Sequence, residues 1–199
     1  MPRFLYAACG GNDKSRTTRE FATEAWECAR MDASQDVNPD IVSSLLDMSG
    51  VKSGSFDAVY TAHSLERLYA HEVVPSLRNL HRVLKDDGYL VLSSVDLKTA
   101  CVLIAEDKLL EPAYESPAGP VAPLDILYGF RPALAAGYTR HANNCGFTAR
   151  ALTGTVAQAG FASIWINTYP STFTIIAIAT KNERSEQDMR DLAAKHFGS

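Results

Sequence analysis

Short apolar runs, each closed by glycine, proline or aspartate, alternate with amphipathic stretches along most of the chain. Residues 3–8 form a continuous apolar run ending at Cys9-Gly10-Gly11, as expected of a strand buried on both faces. Thr17-Thr18-Arg19-Glu20 has capping-box spacing ahead of Phe21, Ala22, Ala25 and Trp26, which predicts a helix of about ten residues. A strand is expected over 27–31, closing at Asp32, and IVSSLL (41–46) reads as another. The stretch between Asp32 and Ile41 is too short for a helical crossover, so either a helix is missing there or a strand is misassigned.

The centre of the chain has a clearer rhythm. FDAVYTA (56–62) reads as a fully buried strand. Val73, Val74, Leu77, Leu80, Val83 and Leu84 then recur at helical spacing up to KDDG (85–88). YLVLSSV (89–95) is a second buried strand, and Leu97 to Leu110 is helical in pattern. Prolines at 112, 117, 120, 123 and 132 argue against a long regular element there. Thr148 caps a predicted helix to about Ala159. Two strand-like runs, FASIWINTY and TFTIIAIAT, follow, and Ser185 with Asp188 opens an amphipathic helix. Strand–helix alternation predicts an α/β fold, a doubly wound, mostly parallel sheet with helices on both faces. The two closing strands are joined too tightly for a crossover, so that pair must be antiparallel.

Composition narrows the partners. With 199 residues, one domain spanning 1–199 is the expectation. A net charge of −4 does not favour nucleic acid or an anionic membrane surface. No apolar run approaches the roughly 20 residues that span a bilayer, and the first residues do not read as a secretory leader. Cysteines at 9, 28, 101 and 145 make no C-x-x-C pair, so no metal or redox site is expected, and they suit a cytoplasmic protein.

In open sheets of this kind ligands bind beyond the carboxyl ends of the strands. Ala8, Cys9 and Gly10 end the first strand with small side chains, and Asp32 follows Gly10 by 22 residues. An acid about 20 residues past a glycine turn is placed to accept hydrogen bonds from ribose hydroxyls. Asp47 is a further contact candidate, for an adenine amino group, or equally a helix cap.

Residues 55–97 carry a more specific pattern. Phe56, Asp57, Val59, His63, Leu65, Glu66, Arg82, Val83, Leu84, Lys85 and Gly88 resemble the fourth strand, following helix and fifth strand of class I S-adenosylmethionine-dependent methyltransferases. The resemblance implies a Rossmann-like, seven-stranded sheet whose last strand is antiparallel. It implies S-adenosyl-L-methionine as cofactor and a small-molecule acceptor. Cofactor contacts would come from Ala8, Cys9 and Gly10, from Asp32 at the ribose, from Asp47 and Met48 at the adenine, and from Thr61, Ala62 and His63. Departures lie at Tyr6 in place of an acid, Ala8 and Asn12 in place of glycines, and Arg67 where histidine is frequent. These departures leave a second reading, a catalytically inactive partner or scaffold subunit on the same fold.

His63 and His141 are the expected catalytic or acceptor-positioning residues, since imidazole titrates near neutral pH. For His63 the other reading is an anchor for the loop through Glu66. Residues 106–146 are expected to cover the acceptor, with Tyr128, Tyr138, Arg140 and Asn143 as substrate contacts. The aromatic residues of that stretch equally suit packing on the sheet or a contact between two copies in a homodimer.

Overall fold

The computed structural model describes residues 1–198. Its main sheet has seven strands, in the order β3 (Ile41–Val42), β2 (Glu27–Asp32), β1 (Arg3–Ala7), β4 (Phe56–Ala62), β5 (Leu84–Val95), β9 (Thr174–Thr180) and β8 (Ser163–Tyr169). β1 to β5 run parallel. The closing pair, β8 and β9, is antiparallel, as its short connection requires. β9 also pairs antiparallel with β5.

Between β4 and β5 lies α1 (Ala70–Val83), and α5 (Ala149–Gln158) precedes β8. The two pack on one face, where Val73, Leu77 and Leu80 meet Leu152 and Val156. The opposite face is covered by α6 (Glu186–Phe197), through Met189, Leu192 and Ala193. Helices therefore flank the sheet on both sides, but the crossovers at the β1 end do not supply them.

The helix expected from Thr17 to Trp26 is absent; this segment is a run of turns after a short 3₁₀ turn at Lys14–Arg16. Both halves of its capping box are diverted. The Thr17 hydroxyl donates to the Lys14 carbonyl, and Glu20 accepts from the Trp26 indole N–H. Phe21 is instead driven fully into the sheet, stacked on Phe4 with centroids 4.3 Å apart. The short link from β2 to β3 makes its parallel crossover with no α-helix, using a 3₁₀ turn at Gln35–Val37 and Asn38 at φ 48°. Both strands there are real, although β3 holds only Ile41 and Val42.

After β5, α2 (Leu97–Ala105) starts at an Asp96 cap and stops short of the expected Leu110. Asp107 turns left-handed at φ 63°, and the Lys108 N–H reaches back to the Leu103 carbonyl. The proline-rich span holds only short elements: the hairpin β6 (Tyr114–Ser116) and β7 (Gly119–Val121), then α3 (Pro123–Tyr128) and α4 (Arg131–Ala135). No helix of the described residues is long and apolar enough to cross a membrane, and no cluster of His, Cys, Asp or Glu among them suits a metal ion.

Candidate functional site

The strand order reverses between β1, which pairs with β2 on one side, and β4 on the other. A crevice beyond their carboxyl ends is the expected ligand site of such a sheet. Residues 8–12 form its first wall. Ala8 and Gly10 both take φ 55°. For Ala8 this left-handed backbone costs about 1–2 kcal/mol relative to a glycine, so alanine stands where the turn itself demands glycine. Asn12 closes the turn with its side chain, whose amide donates to the Cys9 carbonyl at 3.1 Å.

Asp32 is clamped against this turn. One carboxylate oxygen accepts the Gly10 N–H at 2.8 Å and the other the Ser34 N–H at 2.9 Å. Each oxygen keeps a second lone-pair direction for a further donor. Thr61, fully buried, ties the end of β4 to β1 by donating to the Ala7 carbonyl at 2.9 Å, and it meets the Ser64 hydroxyl at 2.6 Å. Ala62 beside it is partly buried. Tyr6 points away into the aromatic cluster under α6, its ring edge-on to Tyr60 at 5.1 Å. Burial raises its hydroxyl well above the ordinary range, with the neighbouring Tyr60 adding to the effect.

Asp47 and Met48 lie apart in their chemistry. The Asp47 carboxylate is exposed and accepts both the N–H and the hydroxyl of Ser49, which hold it below the usual carboxylate range. The Met48 side chain is wholly committed to the core beside Leu45 and Val51.

His63 turns the chain out of β4 with φ 47°, and its N–H still donates to the Ser93 carbonyl at 2.9 Å. Its Nδ1 lies 3.1 Å from Glu66 Oε1, and Glu66 Oε2 accepts from the Ser94 hydroxyl at 2.9 Å. Glu66 is only 1% exposed. Burial alone would raise its carboxyl, but the hydrogen bond and charge of His63, with Ser94, outweigh that and hold it low. An ionised carboxylate only accepts, so Nδ1 is the nitrogen that donates to Glu66, and Nε2 is the ring nitrogen left for the cavity.

Beyond His63 opens a cavity of about 440 Å³ between the ends of β5 and β9 and the 106–146 segment. Val95, Ile126, Phe130 and Phe173 give it apolar walls, and His63, Arg67 and His141 line its polar end. His141 is shifted below its ordinary value by burial first and by the Arg67 charge second. Asn143 also lines the cavity, its amide donating to the Ile126 carbonyl at 3.0 Å. Arg140 contributes its backbone carbonyl, which accepts from Arg67 Nη1 at 3.3 Å. Tyr128 and Tyr138 are each 62% exposed and do not line the cavity; Tyr138 stacks over His141 with centroids 5.8 Å apart.

Two features escaped the sequence reading. Ser94, on β5, reaches Glu66 only because β4 and β5 are neighbours in the sheet. Asp125 accepts from Arg131 Nε at 2.7 Å, from Arg131 Nη2 at 3.1 Å and from the Ala122 N–H at 2.9 Å, fixing the elbow between α3 and α4. An acid three residues past Ala122, with Pro123 at the first helical position, was the available signal.

The elbow needs Gly129. At φ 103° it packs so closely that a Cβ would sit 2.5 Å from the His141 carbonyl oxygen. Gly129→Ala is therefore expected to lose about 2 kcal/mol or more in chemical denaturation, from backbone strain plus overpacking. A loss under 0.5 kcal/mol would contradict this packing.

The sequence profile of a methyltransferase domain matches residues 5–92. A comparison with curated protein sequences finds no match. Among solved structures, an S-adenosylmethionine-dependent methyltransferase from Mesorhizobium loti is 17% identical, with a TM-score of 0.56, over 89% of this chain and 90% of that one. A second such enzyme, from Methanosarcina mazei, is 14% identical with a TM-score of 0.57, over 91% and 93% of the respective chains. A 1,6-didemethyltoxoflavin-N1-methyltransferase from Burkholderia thailandensis, solved with bound 1,6-didemethyltoxoflavin and S-adenosylhomocysteine, is 13% identical with a TM-score of 0.55, over 92% of this chain and 72% of that one. At these identities the likeness is one of fold.

Proposed function

We propose, from the match of residues 5–92 to the profile of a methyltransferase domain, that the chain transfers a methyl group from S-adenosyl-L-methionine to a small-molecule acceptor in the cavity beside His63. One observation carries this reading: His63, which lines the 440 Å³ cavity, directly follows β4, the strand paired and hydrogen-bonded to β1, whose end runs into the turn at 8–12 with its clamped Asp32.

The residues present fit the cofactor. The turn is lined by Ala8, Cys9, Gly10 and Gly11, which leave its backbone open to close approach, and Asp32 retains lone pairs for two ribose hydroxyls. Asp47 is exposed for a polar adenine contact, whereas the Met48 side chain is in the core and its carbonyl already accepts from Arg82 Nη2 and the Val51 N–H. When bound, S-adenosylmethionine supplies an activated methyl carbon for in-line displacement. The protein aligns the acceptor, and His63 Nε2 takes the acceptor's proton where one must leave. Glu66 fixes the ring and stabilises the imidazolium so formed. The segment 106–146 covers the acceptor and keeps water from the neutralising sulfonium, with Asn143 and His141 as its contacts and Tyr138, Tyr128 and Arg140 as outer supports.

The competing reading, an inactive scaffold, draws on Tyr6 and on the two helix-free crossovers. Titration calorimetry with S-adenosylhomocysteine separates the two. Binding that weakens about ten- to 150-fold in Asp32→Ala is expected, since charge-assisted hydrogen bonds contribute about 1.5–3 kcal/mol. No heat and no thermal shift at millimolar ligand would favour the scaffold.

A further inference from the structure

The cavity is lined by an arginine, Arg67, that makes no ion pair among the described residues. The cavity's two carboxylates are already engaged: Glu66 with His63 and Ser94, and Asp125 with the Arg131 fork. Arg67 has no such partner. It spends Nε on the His63 carbonyl at 2.7 Å and one Nη1 proton on the Arg140 carbonyl at 3.3 Å. Of the five N–H donors that an arginine carries, three remain, including both on Nη2.

The surroundings make this cation expensive to leave bare. Arg67 is partly buried against the cavity, and burial lowers its affinity for its proton despite the nearby Glu66 and Asp32. Its position is not adjustable, because the 3₁₀ turn Leu65–Arg67 that carries it is laced to the far segment. The Asn144 and Cys145 N–H groups donate to the Glu66 carbonyl at 2.8 and 3.1 Å, and the Asn144 amide donates to the Arg67 carbonyl at 2.7 Å. A fixed guanidinium with a free edge matches the planar, bidentate geometry of a carboxylate. Val95, Ile126, Phe130, Phe173 and the ring of Tyr114, stacked on Phe173, supply apolar wall, and the further polar lining at Ser116, Thr172 and Thr174 is uncharged.

We propose that the acceptor is an organic acid, its carboxylate held by the free edge of Arg67 and its apolar or aromatic body packed among Val95, Ile126, Phe130 and Phe173. This rests on the methyl-transfer reading for the word acceptor, while the anion subsite itself stands on the cavity alone. Arg67 then sets specificity. Neutral and cationic analogues of the same body lose the paired hydrogen bonds and leave the guanidinium desolvated.

The test uses the full-length protein and three matched probes, benzoate, benzamide and benzylammonium, titrated by ligand-observed NMR with and without saturating S-adenosylhomocysteine. Benzoate should bind at least tenfold more tightly than either analogue, and Arg67→Gln should abolish that preference while changing S-adenosylhomocysteine affinity less than threefold. Equal binding of the three probes, or a preference that survives Arg67→Gln, overturns the proposal and leaves Arg67 as a backbone clamp. A tenfold loss of S-adenosylhomocysteine affinity in Arg67→Gln, with benzoate unaffected, also overturns it, assigning the guanidinium to the cofactor's own carboxylate. If Arg67→Gln does not fold, the wild-type side-chain Nε–H resonance of Arg67, assigned by its disappearance in Arg67→Lys, gives the same decision: it shifts with benzoate and not with benzamide, or the proposal falls. Failure of S-adenosylhomocysteine to bind, with the benzoate preference intact, sinks the methyl-transfer reading alone.

Discussion

His63→Asn is expected to lower methyl transfer by about 10²- to 10⁴-fold, the range for removal of a positioned general base, while S-adenosylhomocysteine affinity stays within about threefold. Asparagine is the informative replacement. It tolerates the left-handed backbone that His63 adopts at φ 47° better than most residues do. Its amide can also donate to Glu66 in place of Nδ1, so the turn keeps its anchor. What disappears is Nε2, the ring nitrogen left for the cavity. The measurement is transfer of labelled methyl from S-adenosylmethionine to any acceptor that the wild type turns over. A variant within about fivefold of wild type would show that His63 serves only as the anchor, through Glu66, of the loop after β4.

Acidification from pH 6.5 to about 4 is expected to cost the fold about 3 kcal/mol through His196 alone, since its folded pKa is pushed down to about 4 and each unit corresponds to about 1.4 kcal/mol. The ring is 2% exposed, 2.6 Å from the Thr18 hydroxyl through Nδ1 and 3.1 Å from the Tyr89 hydroxyl through Nε2. Burial is the main cause of the shift; Glu20 opposes it, and Lys195 and Arg19 reinforce it. Because the folded value lies below the ordinary one, the unfolded chain takes up the proton first as pH falls. The contribution is therefore complete above pH 6.5 and is lost progressively towards pH 4. Denaturant midpoints for wild type and His196→Gln across that window decide the matter: the wild type should show the steep loss and the variant a flatter profile. Parallel profiles would remove His196 as the cause. The consequence would be local as well as global, since His196 fastens α6 to Thr18 in the segment that stands in for the first crossover helix.

Much of the architecture follows from local pattern. FDAVYTA, the amphipathic run around Leu77 and Leu80, and YLVLSSV form β4, α1 and the core of β5, because continuous apolar runs and 3.6-residue periodicity report burial directly. The brevity of the Pro170–Thr172 connection dictates the antiparallel pair β8–β9. Asp32 lies beside Gly10 because its spacing from the glycine turn is set by one strand and its return.

The tertiary structure decided the rest. Thr17 to Glu20 has the letters of a helix start, but Thr18 is claimed by His196, 178 residues away, and Phe21 by the face of the sheet. Met48 is expected beside the adenine but its side chain is core; of the aromatic residues expected over the acceptor, Tyr128 and Tyr138 stand in solvent, while Tyr114 and Phe130 line the cavity together with Phe173. Ser94 meets Glu66, and Arg67 meets the carbonyl of Arg140, only across neighbouring strands or folded-back segments. Sequence periodicity therefore determined which residues leave water and where the strands and most of the helices lie. Which distant side chains would meet around His63 was decided by strand order, because burial has a period along the chain and contact between remote residues has none.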